Sequence, residues 1–251
     1  CTVAAIEVPM KEASRFGIIN ADKDGTITGF EEKPAHPKSN LASMGIYVFT
    51  AEKLYSYLEK DAKKPDSEND FGKNVLPDML TSGEKMTAYV FDGYWKDVGT
   101  IDSLYEANMD LLGDVPKIDV TDKKWKIQSR NPLMQPQYLG KGSKVINSIV
   151  MSGSEIWGEV ENSVLSSGVI VKKGAKVKDS IIMANTVIEE GAIVNYSIID
   201  ENTEIGPKAK IGEKKSDSVK IALLGRNIKV EAGAVVPQGA IVDKDVVKEV
   251  K

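Results

Sequence analysis

The 251-residue sequence holds one cysteine, one histidine and no long apolar run. Cys1 alone cannot form an intrachain disulfide, which predicts a reducing, cytoplasmic setting. No stretch approaches the roughly 20 apolar residues that span a bilayer, and none reads as a signal peptide, so no membrane partner is expected. Charged residues make up 28% of the chain and the net charge is -4, which leaves no basic patch for nucleic acid. The chain also lacks a Gly-x-Gly-rich phosphate cradle. Finally, it opens on Cys1-Thr-Val-Ala-Ala-Ile-Glu-Val, with no initiator methionine. That reads as a buried strand and predicts a chain that starts inside a domain.

Two regions with different periods make up what is present. Residues 1–112 mix strand and helix signals, which argues an α/β domain. Val3 to Val8 reads as a strand, and Asp24-Gly25 between two β-prone runs predicts a hairpin. Met44-Gly-Ile-Tyr-Val-Phe49 is apolar throughout, as strands covered on both faces are. Helices are expected over Ala51–Lys60, Gly72–Leu80 and Ile101–Leu112. In the last of these, Ile101, Leu104, Tyr105 and Asn108 carry a helical stripe. Residues 113–136, with prolines and lysines, read as a linker.

Residues 137–251 follow another rule. Ser148, Ser163, Ser180 and Ser197 each precede two apolar residues and lie 15, 17 and 17 residues apart. Apolar residues recur about every six positions: Leu165, Val171, Val177; Ile182, Ile188, Val194; Ile199, Ile205, Ile211. After an irregular insertion, Leu224, Val230, Val236 and Val242 resume the spacing. A helix would repeat at three and four, and a sandwich strand at two. Period six in triplets predicts a parallel β-helix, read here as left-handed, with one inward residue per face of each coil. Gly174, Gly191, Gly206 and Gly233 fall where corners need unusual backbone angles. The β-helix reads as a scaffold. Acyl transfer on such a scaffold needs a histidine base, and His36 lies outside the repeats.

Three clusters carry candidate chemistry. Phe30-Glu-Glu-Lys-Pro34 ends a strand with Glu32 and Lys33, at a favoured ligand position in α/β sheets. A lysine ammonium suits a phosphate and a carboxylate suits sugar hydroxyls, although the same pair also describes a solvated loop. Ser43 opens a buried strand, where its hydroxyl either donates to a ligand or bonds the backbone. Asp97, in Gly93-Tyr-Trp-Lys-Asp-Val-Gly-Thr100, is a hard oxygen ligand of the kind Mg²⁺ takes. It equally serves as an acid supporting the following helix N-terminus.

Taken together, Glu7-Val-Pro, Glu12-Ala-Ser-Arg-Phe-Gly17, Glu31-Glu-Lys-Pro34, Leu41-Ala-Ser-Met-Gly-Ile-Tyr-Val-Phe49, Asp70-Phe-Gly-Lys73 and Tyr94-Trp-Lys-Asp-Val-Gly-Thr100 resemble the bacterial glucose-1-phosphate adenylyltransferase family. The segments occur in that family's order, and the β-helix follows where the family has one. The resemblance implies a partial, Rossmann-like nucleotidyltransferase domain over 1–112 in a cytoplasmic enzyme of glycogen synthesis. It implies that Gly17, Glu32, Lys33 and Ser43 contact glucose 1-phosphate, with Lys33 on the phosphate, and that Asp70 and Trp95 line the pocket. Lys33 and Asp97 are implied as catalytic, Asp97 as one of two aspartates on Mg²⁺.

The family's Gly-rich loop, with its catalytic arginine and lysine, and the second aspartate would lie upstream of Cys1. The chain as written is therefore expected to be inactive, within a parent enzyme using ATP and glucose 1-phosphate. A homotetramer, or a hetero-oligomer with a related subunit, is the implied assembly. A non-catalytic regulatory subunit and a structural assembly module are the alternatives.

Overall fold

The computed structural model describes residues 1–120, 122–128 and 133–248. The chain divides into two compact units, Cys1–Trp95 and Lys96 onward. Among the described residues no helix is long and apolar enough to cross a membrane.

The first unit is built on a mixed five-stranded sheet. In chain order its elements are β1 (Thr2–Glu7), α1 (Met10–Ala13), β2 (Gly17–Ala21), β3 (Ile27–Glu32), β4 (Leu41–Val48) and α2 (Ala51–Asp61). A π-helical turn (Phe71–Val75), α3 (Leu76–Thr81) and β5 (Thr87–Val90) complete it. The strand order is β3-β2-β4-β1-β5, with β5 parallel to β1 and the other pairings antiparallel. The expected hairpin joins β2 to β3. Asp24 accepts from the Thr26 N–H and hydroxyl, and Gly25 turns the chain at φ +84.

Alternation along the strands sends Val3, Ala5 and Ile19 to one face, where α2 and α3 cover them through Tyr57, Leu76 and Met79. Ile18 and Ala42 point to the other face and meet Ala13 of α1. That helix is one turn long, so cover on its side is short. β4 is consequently not buried on both faces as its apolar run implies: Ile46 is 52% and Val48 69% exposed. Apolar composition marks a strand, but which face is covered depends on what packs above it.

The second unit is a parallel β-solenoid with three six-stranded sheets. The residues named from the period of six form its interior. Leu165, Val171, Ile182, Ile188, Val194, Ile199, Ile205 and Ile211 are fully buried, and Val242 packs against them. Strands stack in register, Val171 on Ile188 on Ile205 on Val230.

The recurring serines form a ladder. Each hydroxyl donates to the carbonyl two residues before it, as Ser180 Oγ does to Lys178 at 2.7 Å. Ser148, Ser163 and Ser180 also accept the serine N–H of the next coil, from Ser163, Ser180 and Ser197 at 3.1, 3.1 and 3.2 Å. A buried hydroxyl is thereby satisfied as donor and acceptor, which offsets its desolvation.

Gly174, Gly191 and Gly233 take φ of +70, +67 and +70, as corners require. Gly206 does not. The left-handed residue at that corner is Lys208, at φ +58. Gly206 is needed for close approach instead, because a Cβ there would stand 2.5 Å from the Val230 carbonyl oxygen.

Helix α4 (Ile101–Met109) belongs to this second unit. Thr100 and Ser103 form a capping box, each side chain accepting the other's N–H at 3.1 Å. Tyr105 is buried against Ile181 and Ile198, outward-pointing residues of one solenoid sheet, and against Ile221 just before that sheet's next strand, and its hydroxyl donates to the Asp179 carbonyl at 3.0 Å. Between α4 and the first solenoid strand, residues 110–120, 122–128 and 133–137 carry no helix or strand. Residues 121 and 129–132 of the expected linker, and 249–251, lie outside the described residues.

Candidate functional site

Of the expected residues, Gly17, Glu32 and Lys33 meet where β2 begins and β3 ends. Gly17 pairs with Glu32 across the β2–β3 ladder. A Cβ on Gly17 would lie 2.6 Å from Phe30 Cζ and 2.7 Å from Glu32 Oε2, so only glycine lets the carboxylate fold over this strand. Lys33 leaves the strand in the left-handed region, at φ +47, and its N–H donates to the Phe16 carbonyl at 3.0 Å. Such a conformation is strained for a side-chain-bearing residue and is concentrated at functional sites. The Lys33 side chain is 65% exposed, with Nζ 3.6 Å from Glu32 Oε1. It is a tethered cation facing water.

The turn before α3 closes over the same carboxylate. Asp70 caps the π-helical turn by accepting the Lys73 N–H at 2.9 Å. At Gly72 a Cβ would stand 2.5 Å from Glu32 Oε2 and 3.4 Å from Asp70 Oδ1. Two acceptors therefore converge on one small space that a larger residue would fill. Phe16 meets Trp95 edge-to-face at 5.9 Å, and the Arg15 guanidinium sits over Phe16 at 5.6 Å.

Ser43 is placed by a bulge. Ala5 of β1 faces Ser43, but Val3 faces Tyr47, so β4 inserts two extra residues across this interval. Gly45 takes φ +70 within it, and its N–H donates to Ser43 Oγ at 3.3 Å. The backbone role considered for Ser43 is thus filled. The same hydroxyl lies near enough to the Tyr47 phenol to act on it. Burial pushes the Tyr47 phenol up, the Ser43 hydroxyl opposes this, and the nearby Glu32 and Asp70 charges add to the rise. Its ring stacks on Phe71 at 5.4 Å.

Tyr47, Phe71 and Gly72 carry no role in the sequence reading, although all three lie inside matched segments. Strict alternation along β4 could not show that Tyr47 is aimed beside Ser43, because the bulge breaks the period. The sharper signal was Asp70-Phe-Gly, an acid, an aromatic and a glycine together.

Asp97 falls in the second unit. Its Oδ1 accepts the Gly99 N–H at 3.2 Å, a turn leading directly into the Thr100 cap of α4. Among the described residues no group of three histidines, cysteines or carboxylates could hold a metal ion. Mg²⁺ is commonly held by one or two carboxylates with substrate phosphates. Asp97 fits a share of such a site and does not make a complete one. Two surface depressions of about 410 and 430 Å³, around Trp157 and Tyr138, lie on the solenoid and include none of these residues.

Comparison with known proteins gives these residues a context. Residues 1–113 match the nucleotidyl transferase family, and residues 135–221 match the GlmU-like, C-terminal hexapeptide family. The chain is 54% identical over 176 residues to the glucose-1-phosphate adenylyltransferase of Clostridium beijerinckii, covering 70% of this chain and 46% of that protein. It is 46% identical over 244 residues to that of Desulforamulus reducens, covering 97% and 61%. Against that of Bacillus cereus the figures are 47% over 235 residues, covering 94% and 56%. The chain thus spans about half the length of the relatives it matches.

Proposed function

Because the chain carries a nucleotidyltransferase domain and is a homologue of bacterial glucose-1-phosphate adenylyltransferases, we propose that its first unit is the sugar-phosphate half of such an enzyme. The reaction transfers AMP from ATP to glucose 1-phosphate, giving ADP-glucose and pyrophosphate. The observation that carries the reading is the convergence of Gly17, Glu32, Asp70 and Gly72 beneath an exposed Lys33.

Lys33 offers a mobile point charge to the phosphate. Glu32 and Asp70 accept hydrogen bonds from sugar hydroxyls, which sets the ring's orientation. Phe16 with Trp95, and Tyr47 with Phe71, supply apolar walls for the sugar faces. Held this way, a phosphate oxygen of glucose 1-phosphate attacks the α-phosphorus of ATP, and pyrophosphate leaves with the broken bond's electron pair. No protein nucleophile is required, so alignment and charge neutralisation carry the catalysis. Asp97 is the residue that would share in holding Mg²⁺, whose chemistry is to neutralise phosphate charge.

The chain spans about half the length of the relatives it matches, and alone it is expected to transfer nothing. Exposed apolar residues near the two ends of the solenoid, Leu139 at 52% and Ile241 at 69%, support self-association into a homo-oligomer. The test is pyrophosphate release from ATP, glucose 1-phosphate and Mg²⁺, using this chain beside a version extended upstream to its relatives' length. Release by the extended protein alone is expected. Silence from a folded extended protein would overturn the active-enzyme reading in favour of a non-catalytic subunit.

A further inference from the structure

The last residue of α2, Asp61, is an expensive group to keep. It is 3% exposed, and its Oδ1 is buried with no hydrogen-bond partner among the described residues. It also stands at a helix C-terminus, where the helix dipole disfavours negative charge. A buried carboxylate left half-satisfied costs stability, and apolar side chains would pack there without that cost. What the carboxylate does hold is the following loop. Ser67 Oγ donates to Asp61 Oδ2 at 2.7 Å, and Ser67 Oγ in turn accepts the Asn69 N–H at 3.0 Å. Asn69 is left-handed at φ +54, the bend that turns the chain into Asp70. Asp70 then caps the π-helical turn, and Gly72 lies against Glu32.

We infer that Asp61 and Ser67 are positioning residues for the sugar-phosphate site. The buried carboxylate pins Ser67, Ser67 pins the Asn69 bend, and that bend sets how closely Asp70 and Gly72 approach Glu32. This rests on the proposed function for its ligand, and on the hydrogen-bond chain alone for its geometry. Neither residue touches the sugar. Their effect is on where two acceptors stand, and a shift of about 1 Å in such a group is enough to weaken binding substantially. Glu68 and Lys73 pair across the outside of the same turn at 2.5 Å, but both are largely exposed, so that clasp is screened and weak.

The test compares the unsubstituted chain with Ser67→Ala, Asp61→Ala and Asp61→Asn by amide hydrogen exchange and by NMR titration with glucose 1-phosphate. Ser67→Ala and Asp61→Ala are expected to speed exchange at Asn69–Gly72 by about tenfold, leave the solenoid amides unchanged, and weaken glucose 1-phosphate several-fold. Asp61→Asn, which keeps an acceptor for Ser67, restores both. If Asp61→Ala fails to fold, Ser67→Ala breaks the same link from the solvent side. Unchanged exchange at Asn69–Gly72 in Ser67→Ala overturns the inference, as does faster exchange there with unaltered affinity. Should the unsubstituted chain itself ignore glucose 1-phosphate, the proposed function falls, while the exchange data still decide the hydrogen-bond chain.

Discussion

The solenoid and the first unit stabilise their backbones in opposite ways. In the solenoid each coil repeats its neighbour: Ile188 lies on Ile205, and Ser180 bonds Ser197 as Ser163 bonds Ser180. Its buried hydroxyls are satisfied by the neighbouring coil, Ser163 and Ser180 by the next serine's N–H and Ser154, Thr186 and Thr203 by the carbonyls of Ser166, Asp200 and Gly225. The first unit spends stability instead. β4 is bulged and Asp61 is buried with one oxygen unpartnered, while left-handed residues occur in both units, at Lys33 and Asn69 here and at repeating corners such as Asn185, Asn202 and Asn227 in the solenoid. The Lys33 bend and the close approach of Gly72 meet at Glu32. Regular structure is where the molecule is stable, and broken regularity is where it has chemistry to offer.

The sharpest break in this contrast is a hole in the stack. Ile205→Ala is expected to cost about 3 kcal/mol in urea unfolding, since the rigid coils on either side cannot collapse into the cavity. The sugar-phosphate residues should be undisturbed. A cost under about 1 kcal/mol would mean the coils are not tightly coupled.

Next is the ladder. Ser180→Ala removes the acceptor of the buried Ser197 N–H and a donor to Lys178, with an expected cost of about 2 kcal/mol in the same measurement. In the first unit the reverse pattern is expected. Lys33→Gln should leave the melting temperature unchanged, because the side chain is exposed, and weaken glucose 1-phosphate about tenfold, or ~1.4 kcal/mol. A large loss of stability would make Lys33 structural.

The smallest effect is in acid. The Lys53 ammonium hydrogen-bonds Glu84 at 2.6 Å and holds its carboxyl below the ordinary carboxylate range. A lowered value means the pair's stabilisation is complete above the ordinary carboxylate pKa of about 4.3 and is lost as pH falls through the folded value. Glu84→Gln should therefore flatten a shallow acid limb in the first unit's pH–stability profile and change nothing near pH 7.

Where the physics is periodic, the sequence was readable. Spacing alone identified Leu165 through Val236 as the solenoid interior, because one inward residue per face leaves no other arrangement. Ile181 and Ile198 drew no reading from the spacing, and only the packed α4 shows that they point outward and are covered. Gly206 was identified as special for the wrong reason, since φ and close approach leave the same glycine in a sequence.

In the first unit, Gly17, Glu32, Lys33 and Ser43 were singled out as candidates through ordered motifs, not through any period. Tyr47 and the Asp61–Ser67 link were not found. Both depend on a bulge or a loop hydrogen bond between residues of unremarkable type, and neither leaves a pattern in composition or spacing.

The most direct test of this division of labour is an NMR titration of the chain with glucose 1-phosphate, repeated on Lys33→Gln. Shifts confined to Phe16, Gly17, Glu32, Lys33, Ser43, Asp70–Gly72 and Trp95, and lost in the variant, are the predicted result. Shifts on the solenoid coils, or shifts that survive Lys33→Gln undiminished, would contradict it.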